Sequence, residues 1–344
     1  MKILFIGQSN YGSTSLMRFE MIQKYFGCSV QLINISPIIE DTWKPFRSIG
    51  WRFQIGPFIK FINEAIITGL DKKNKYDLIW IEKGVFIKET TLIQLKNVSK
   101  RLVHFTPDPA FLYHKSRHFI QGLKHYDFCI TTKKFELELY YNKGIKNVIY
   151  CTQGYDEELH KPMVPFKDKI YDICFIGHHE TEREKVVYQL LQEGYSIALA
   201  GIKWKRFVKR NQHKKNLYYF GSHVAGEKYS LLISQSKLGL GLLSKWIPEK
   251  HTTRTMEIPA CGTVLVTEKN EETSKFFNDD EVMFYNNLHE IPEKISLLLT
   301  DVKRVKIISE NGHKAIIKGA YSYRKIIFNI LNEVFKKNIP IGIL

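Results

Sequence analysis

At 344 residues the chain is long enough for two domains of about 150 residues each, and its 44% hydrophobic and 25% charged content is that of an ordinary soluble globular protein. No apolar run approaches the roughly 20 residues that cross a bilayer, and "MKILFIGQSN" lacks the long apolar core and small-residue cleavage site of a secretory signal, so a cytoplasmic protein is expected. Lys and Arg number 51 against 35 Asp and Glu, a net charge of +16; this favours nucleotide phosphates, an anionic membrane surface or nucleic acid as partners without choosing among them.

In chain order, "KILFIG" (2–7) reads as a short buried strand. "GSTSLMRFEMIQKYFG" follows as a helix: Ser13 or Thr14 is placed to cap it, Leu16, Phe19 and Ile22 recur on one face, and Gly27 ends it. "SVQLINI" (29–35), "YDLIWI", "RLVHFT", "YDFCITT" and "NVIYCT" are further β-rich runs between helical or polar segments. "HKPMVPFKDK" (160–169) has no periodicity and reads as a linker. The pattern then restarts: "YDICFIG" (171–177) as strand, "EREKVVYQLLQEG" as helix, and "SIALAG", "NLYYFG", "KLGLGLL", "GTVLVTE" and "VMFYN" as strands. The tail gives two amphipathic helices broken around Gly319, then an apolar "IPIGIL". Alternating strands and helices predict an α/β protein with two parallel sheets. Residues 1–165 form the expected first domain, 170–315 the second, and 316–344 a terminal helix and tail. Ligands of such sheets bind outside the carboxyl ends of the strands, which puts Gly7–Ser15 and Gly177–Glu184 at the mouth of a cleft. The five cysteines are odd in number and widely spaced without a CxxC, so buried reduced thiols are expected.

The densest candidate chemistry lies in "EKHTTRTMEIPACGTVLVTE" (249–268). If 253–261 is helical, Arg254 and Glu257 share a face at i, i+3 while Met256 and Ala260 point to the core. Thr252 or Thr253 caps the start, and the free amides there with Arg254 make an anion site. Pro259 limits the helix to a couple of turns. A carboxylate one turn inside would accept ribose hydroxyls. The plain alternative is an exposed Arg–Glu pair, worth about a few tenths of a kcal/mol.

"RTMEIPACGTVLVTEKNEETSKFFNDDEVMFYNN" resembles the signature of the CgeB-like glycosyltransferases, group-1-type transferases with a GT-B fold: an Arg-x-x-Glu helix, Ala-x-Gly, a strand, an acidic loop and a Glu-Val/Ala-x-x-Tyr strand. "YGSTSLMRFEMIQKYFG", the run from "HFTPDPAFLYHKSRHF" to "YDEELHKP", "YDICFIGHHETERE" and "NGHKAIIKGAYSYR" extend the resemblance over nearly the whole chain, with 36–100 the weakest part. It implies two Rossmann-like parallel-sheet domains facing a cleft, with C-terminal helices packing back toward the first. It also implies a nucleotide-sugar donor held by the second domain and an acceptor held mainly by the first. Carried over by residue, Glu257 binds the donor ribose and Arg254 the diphosphate, and Glu249 matches the first acid of the E-x7-E motif that contacts the donor sugar. Lys250, His251, Thr252 and Thr253 depart from that motif. No cofactor or metal is implied, because positive side chains and helix N-termini take the charge of the leaving diphosphate.

Four further stretches carry two readings each. In "GHHETERE" (177–184), Gly177 permits a tight turn, and His178 and Arg183 are placed to meet phosphate or the donor base; the adjacent histidines lack the i, i+4 spacing of a zinc helix. "GQSNYGSTS" (7–15) matches neither GxGxxG nor a P-loop; Gly12 and Ser13 either contact donor or acceptor or simply make a turn and a cap. In "TPDPAFLYH" (106–114), Asp108 falls at a strand's carboxyl end, as a base for an inverting reaction or as an Asx turn, with His114 a poorer base. "GWRFQIGPFIKFINEAIITGL" (50–70) either rests on a membrane and admits a lipid-linked acceptor or packs on the first sheet. The expected function is glycosyl transfer to a saccharide or other hydroxyl, in surface polysaccharide or glycan assembly at the inner face of the membrane. The rivals are a sugar-nucleotide epimerase or hydrolase of the same fold, and a basic nucleic-acid-binding protein. The last is disfavoured because no helix-turn-helix, RRM or KH signature appears and the basic residues look spread.

Overall fold

The structure, a computed structural model, describes residues 1–71, 75–112 and 115–336; His114 and the terminal "IPIGIL" lie outside them. Its contacts divide the chain in two. Met1–Thr152 and the helix Tyr323–Phe335 form one unit, and Gln153–Ser322 form the other.

In the first unit, β1 (Lys2–Gly7), β2 (Ser29–Asn34), β3 (Leu78–Glu82), β4 (Leu102–Thr106), β5 (Phe128–Thr131) and β6 (Val148–Tyr150) make one parallel sheet in the order β2-β1-β3-β4-β5-β6. The strands read as continuous apolar runs because helices cover both faces. Leu4 and Ile6 pack with Phe58 and Ile62 of the helix Pro57–Thr68, while Phe5 points the other way and meets the Phe19 ring at 5.7 Å. Ser13 caps the helix Thr14–Tyr25, its Oγ accepting from the Leu16 amide at 3.2 Å. Against this helix lies the helix Tyr323–Phe335, which buries Tyr323, Ile326, Ile327, Ile330, Leu331 and Val334. A buried ion pair sits in the same layer. Arg18 donates from Nε and NH2 to the two oxygens of Glu82 at 2.8 and 2.7 Å, Trp80 Nε1 donates to Glu82 at 3.0 Å, and the guanidinium faces the rings of Phe105 and Tyr323.

The aromatic stretch at 50–70 divides between two environments. The helix Pro57–Thr68 buries Phe58, Ile59, Ile62 and Ile66 in the core, with Asn63 donating to the Ile59 and Phe86 carbonyls. The preceding helix, Lys44–Phe53, buries only Gly50. Among the described residues no helix is long and apolar enough to cross a membrane.

The second unit repeats the plan with β7 (Tyr171–Ile176), β8 (Ile197–Ala200), β9 (Leu217–Tyr219), β10 (Ser236–Leu240), β11 (Val264–Glu268) and β12 (Met283–Tyr285), ordered β12-β11-β10-β7-β8-β9 and parallel throughout. Residues 160–169, expected as a linker, pack on this unit instead. His160 and Lys169 are buried, and Lys169 Nζ donates to the Ser234 and Ser236 carbonyls and to Thr263 Oγ1 at 2.6, 2.9 and 3.1 Å. Burial brings its pKa down to about 8. The helix Val302–Lys318 ends at Gly319, and Ser309 donates to the Gly262 carbonyl at 2.8 Å. The five cysteines are free thiols.

Candidate functional site

In the second sheet the strand order reverses between β7 and β10, which makes the loops after these two strands the walls of a switch-point crevice. The loop after β7 leads through His178 into the helix Thr181–Gln192, and the loop after β10 leads through Glu249 into the helix Thr253–Ala260. Arg183 ties the two loops together. Its NH1 donates to the His178 carbonyl at 3.1 Å and pairs with Glu180 at 2.9 Å, and its NH2 donates to the Leu242 carbonyl at 3.1 Å. Burial lowers the Arg183 pKa, the nearby Arg254 charge adds to this, and Glu180 and Glu249 oppose it. His178 is lowered too, by burial first, then by Lys203, Arg183 and, more weakly, Arg254. Arg254 keeps its Nε buried without a hydrogen-bond partner among the described residues. Two arginines, a lysine and a histidine therefore push against one another here, which favours an anion at the crevice.

Glu257 is buried and does not form the exposed pair with Arg254. It accepts from the Tyr229 hydroxyl through Oε2 at 2.6 Å. Its Oε1 lies 3.9 Å from His160 Nε2. His160 Nδ1 accepts from the Asp156 amide at 3.0 Å, so the ring hydrogen is on Nε2, facing that oxygen. One carboxylate oxygen is thus fixed and the other is left with acceptor capacity. At the helix start, Thr255 Oγ1 accepts from the Thr252 amide at 3.1 Å, while Thr252 Oγ1 is buried without a partner among the described residues. Thr253 follows as the first helical residue and is half-buried. His251 is a staple: Nε2 accepts from the Gln153 amide at 2.9 Å and Nδ1 donates to Glu272 at 2.5 Å.

Gly177 is not in the left-handed region that a tight turn needs, and the strained position is Gly201 after β8. There φ is +136°, and an added Cβ would lie 1.9 Å from the Gly177 carbonyl oxygen. That same carbonyl accepts from Trp204 Nε1 at 2.9 Å. Gly201, not Gly177, lets the loop after β8 approach the crevice loop after β7 closely. Nor are the basic residues merely spread: Lys203, Lys205, Arg206, Lys209 and Arg210 line one open pocket of about 1080 Å³ in this unit.

In the first unit, the loops after β1 and β3 border a cavity of about 140 Å³, lined in part by Ser13, Thr14, Arg18, Glu82 and Lys83. Gly12 has φ +76°. The Ser13 hydroxyl is engaged, capping its helix and donating to the Gln8 carbonyl at 3.3 Å. Beside Asp108, Thr106 Oγ1 donates to the Asp108 carbonyl at 2.8 Å and accepts from its amide at 3.3 Å, and Asp108 Oδ2 pairs with Lys83 Nζ at 2.7 Å. Glu136 holds the same loop by accepting from the Ala110 and Phe111 amides at 2.8 and 2.9 Å. Glu136, Tyr229, His160 and Gly201 carried no signal in the sequence, because each works on a partner 24 or more residues away.

Solved structures share this architecture. Sucrose-phosphate synthase from Thermosynechococcus elongatus aligns with a TM-score of 0.70 at 13% identity, over 98% of this chain and 99% of that one. Anabaena HepE in complex with UDP and glucose aligns at 0.65 and 15%, over 98% and 100%. A glycosyltransferase from Rickettsia africae aligns at 0.63 and 13%, over 98% and 99%. This is the GT-B fold. Residues 183–332, less than half of the GT-B chain, also match the family model described as Glycosyl transferase-like. No curated protein matches significantly. The matched segment begins at Arg183 and takes in Arg254, Glu257 and most of the helix that returns to the first unit.

Proposed function

We propose that this protein is a glycosyltransferase of the CgeB-like kind, which moves a sugar from a nucleotide-activated donor to a saccharide or other hydroxyl acceptor in surface glycan assembly. The observation that carries the reading is the crevice between β7 and β10, whose loops Arg183 ties together and where the buried Nε of Arg254, partnerless among the described residues, lies one helical turn from a buried Glu257 held by Tyr229. In this reading Arg254, the Thr253 amide and His178 meet the diphosphate, and Glu257 Oε1 accepts a ribose hydroxyl. Charge that develops on the leaving diphosphate meets fixed positive groups, the role that a metal ion fills in other transferases. Arg183 holds the loops that present these groups. HepE with UDP and glucose makes UDP-sugars the first donors to try. Asp108, paired with Lys83, is the base in an inverting reaction, and Glu249 is the donor-sugar contact in a retaining one. The anomeric configuration of the product decides between them.

The test is a thermal-shift screen of nucleotide sugars on the wild type, Glu257→Ala and Arg254→Ala, followed by product analysis with and without acceptor. A donor that stabilises the wild type and neither variant supports the proposal. No stabilisation by any nucleotide sugar, or a shift that survives both substitutions, overturns it. Turnover of donor to a free epimer or free sugar regardless of acceptor replaces transfer by the epimerase or hydrolase reading.

A further inference from the structure

The core of the first unit leaves the helix Lys44–Phe53 and its flanks uncovered. Trp43, Phe46, Ile49, Trp51, Phe53 and Ile55 are all exposed, Trp43 by 65% and Phe53 by 57%. Single exposed apolar residues are ordinary, but six large ones within thirteen positions make a patch that calls for a partner. The helix is held firmly at its C-terminal end. Gly50 packs so close to Phe58 that an added Cβ would lie 2.2 Å from the ring, and Trp51 meets Phe86 at 4.7 Å. Gln54 accepts from Ser116 and the Arg117 amide through its side chain and from His118 through its carbonyl. Toward the N-terminal end, Arg47 donates to the Ile39 carbonyl at 3.0 Å, and the exposed rings of Trp43 and Phe46 lean on each other at 5.1 Å. Phe46, Ile49 and Phe53 recur at i, i+3 and i+7 on one stripe, while Lys44, Ser48 and Arg52 recur at i, i+4 and i+8 on another. From Thr42 to Asn63 there are four cations, Lys44, Arg47, Arg52 and Lys60, and no acid.

We propose that Trp43–Ile55 docks the protein on an anionic phospholipid surface, with the helix in the plane of the interface. Phe46, Ile49, Phe53 and Trp43 reach the acyl boundary, and Lys44, Arg52 and Lys60 meet headgroup phosphates. Two features favour a bilayer over a protein groove. Trp and Phe interleaved with cations on one short helix is the composition of an interfacial element, and a stretch of this length without an acid is complementary to an anionic leaflet along all of it. The proposal uses none of the crevice residues, so it stands or fails apart from the donor reading.

The experiment is co-sedimentation of the full chain with vesicles of phosphatidylcholine alone and of phosphatidylcholine with phosphatidylglycerol, read together with tryptophan fluorescence. Binding to the anionic vesicles with a blue shift, weakened by salt, is expected. The triple variant W43S/F46S/F53S is expected to bind at least about tenfold more weakly. K44Q/R52Q should lose the preference for phosphatidylglycerol and keep the blue shift on whatever binding remains. These side chains are exposed, so the unfolding midpoint of each variant should match the wild type. Failure of the full chain to sediment with either vesicle, or unchanged binding of the triple variant, overturns the proposal. So does a dimer in solution that the triple variant dissolves, which would assign the patch to a second copy of the chain.

Discussion

Glu257 and Arg254 stand three residues apart on one helix, in surroundings that differ in kind. Tyr229 fixes the Glu257 carboxylate before any ligand arrives, whereas Arg254 keeps a buried Nε without a partner among the described residues. Tyr229→Phe should therefore raise KM for the donor about tenfold and change kcat less, since a hydrogen bond to a charged group is worth roughly 1.5–3 kcal/mol; steady-state kinetics with the donor varied measures this. Arg254→Lys keeps the charge and loses the planar fork, so donor binding followed by calorimetry should weaken by about tenfold. His104 gives a prediction in pH. It is fully buried in β4 with Nε2 donating to the Lys83 carbonyl at 2.9 Å, and burial lowers its pKa from 6.5 to about 4. The folded state prefers the neutral ring. Its contribution is complete above pH 6.5 and is lost as pH falls through 4, by up to about 3 kcal/mol. Urea unfolding across that range should show a shallower loss of stability in His104→Gln than in the wild type.

At the scale of elements, the strands were legible and the loops between them were not. "KILFIG", "YDICFIG" and "GTVLVTE" each become a strand near the expected bounds, because a continuous apolar run of three or four residues between polar turns is a local signal. The helix at 253–260 was legible as well, through Thr252, the Met256 and Ala260 face and Pro259 in its last turn. Loop contacts follow no period. Gly201 against Gly177, and Lys169 across the starts of β7, β10 and β11, are meetings of distant segments. Gly201→Ala should clash with the Gly177 carbonyl and cost about 2–3 kcal/mol of stability in denaturant unfolding, with the crevice loops displaced. A loss no larger than that of an exposed Gly→Ala substitution would show that the two loops are not held together as described.

For the molecule as a whole, the consequential feature is that the first unit is finished by the end of the chain. The helix Tyr323–Phe335 follows the second unit and yet packs on the helix Thr14–Tyr25 and buries six large side chains. At about 1.5–3 kcal/mol for each buried side chain, the loss on removing it rivals the whole stability of a domain, about 5–15 kcal/mol. A chain ending at Ser322 should therefore lose the first unit to proteolysis while the second stays protected; mass spectrometry of the surviving fragment reads this directly. The break in the tail at Gly319 was legible from composition, but the destination of the last helix entered only through the family resemblance.

The amino-acid sequence by itself determined the twelve strands, the α/β alternation and the two-unit plan, because these rest on hydrophobic periods that fit within a few residues. It also singled out Arg254 and Glu257, through a short spacing and a resemblance along the chain. Only the tertiary structure decided the strand orders that create the switch points, the buried setting of Glu257 between Tyr229 and His160, and the closure of the first unit by the last helix. It alone separated the aromatic stretch into a core helix at 57–68 and an uncovered one at 44–53. A period shows which residues share a face; whether that face meets a sheet or solvent depends on segments far away in the chain.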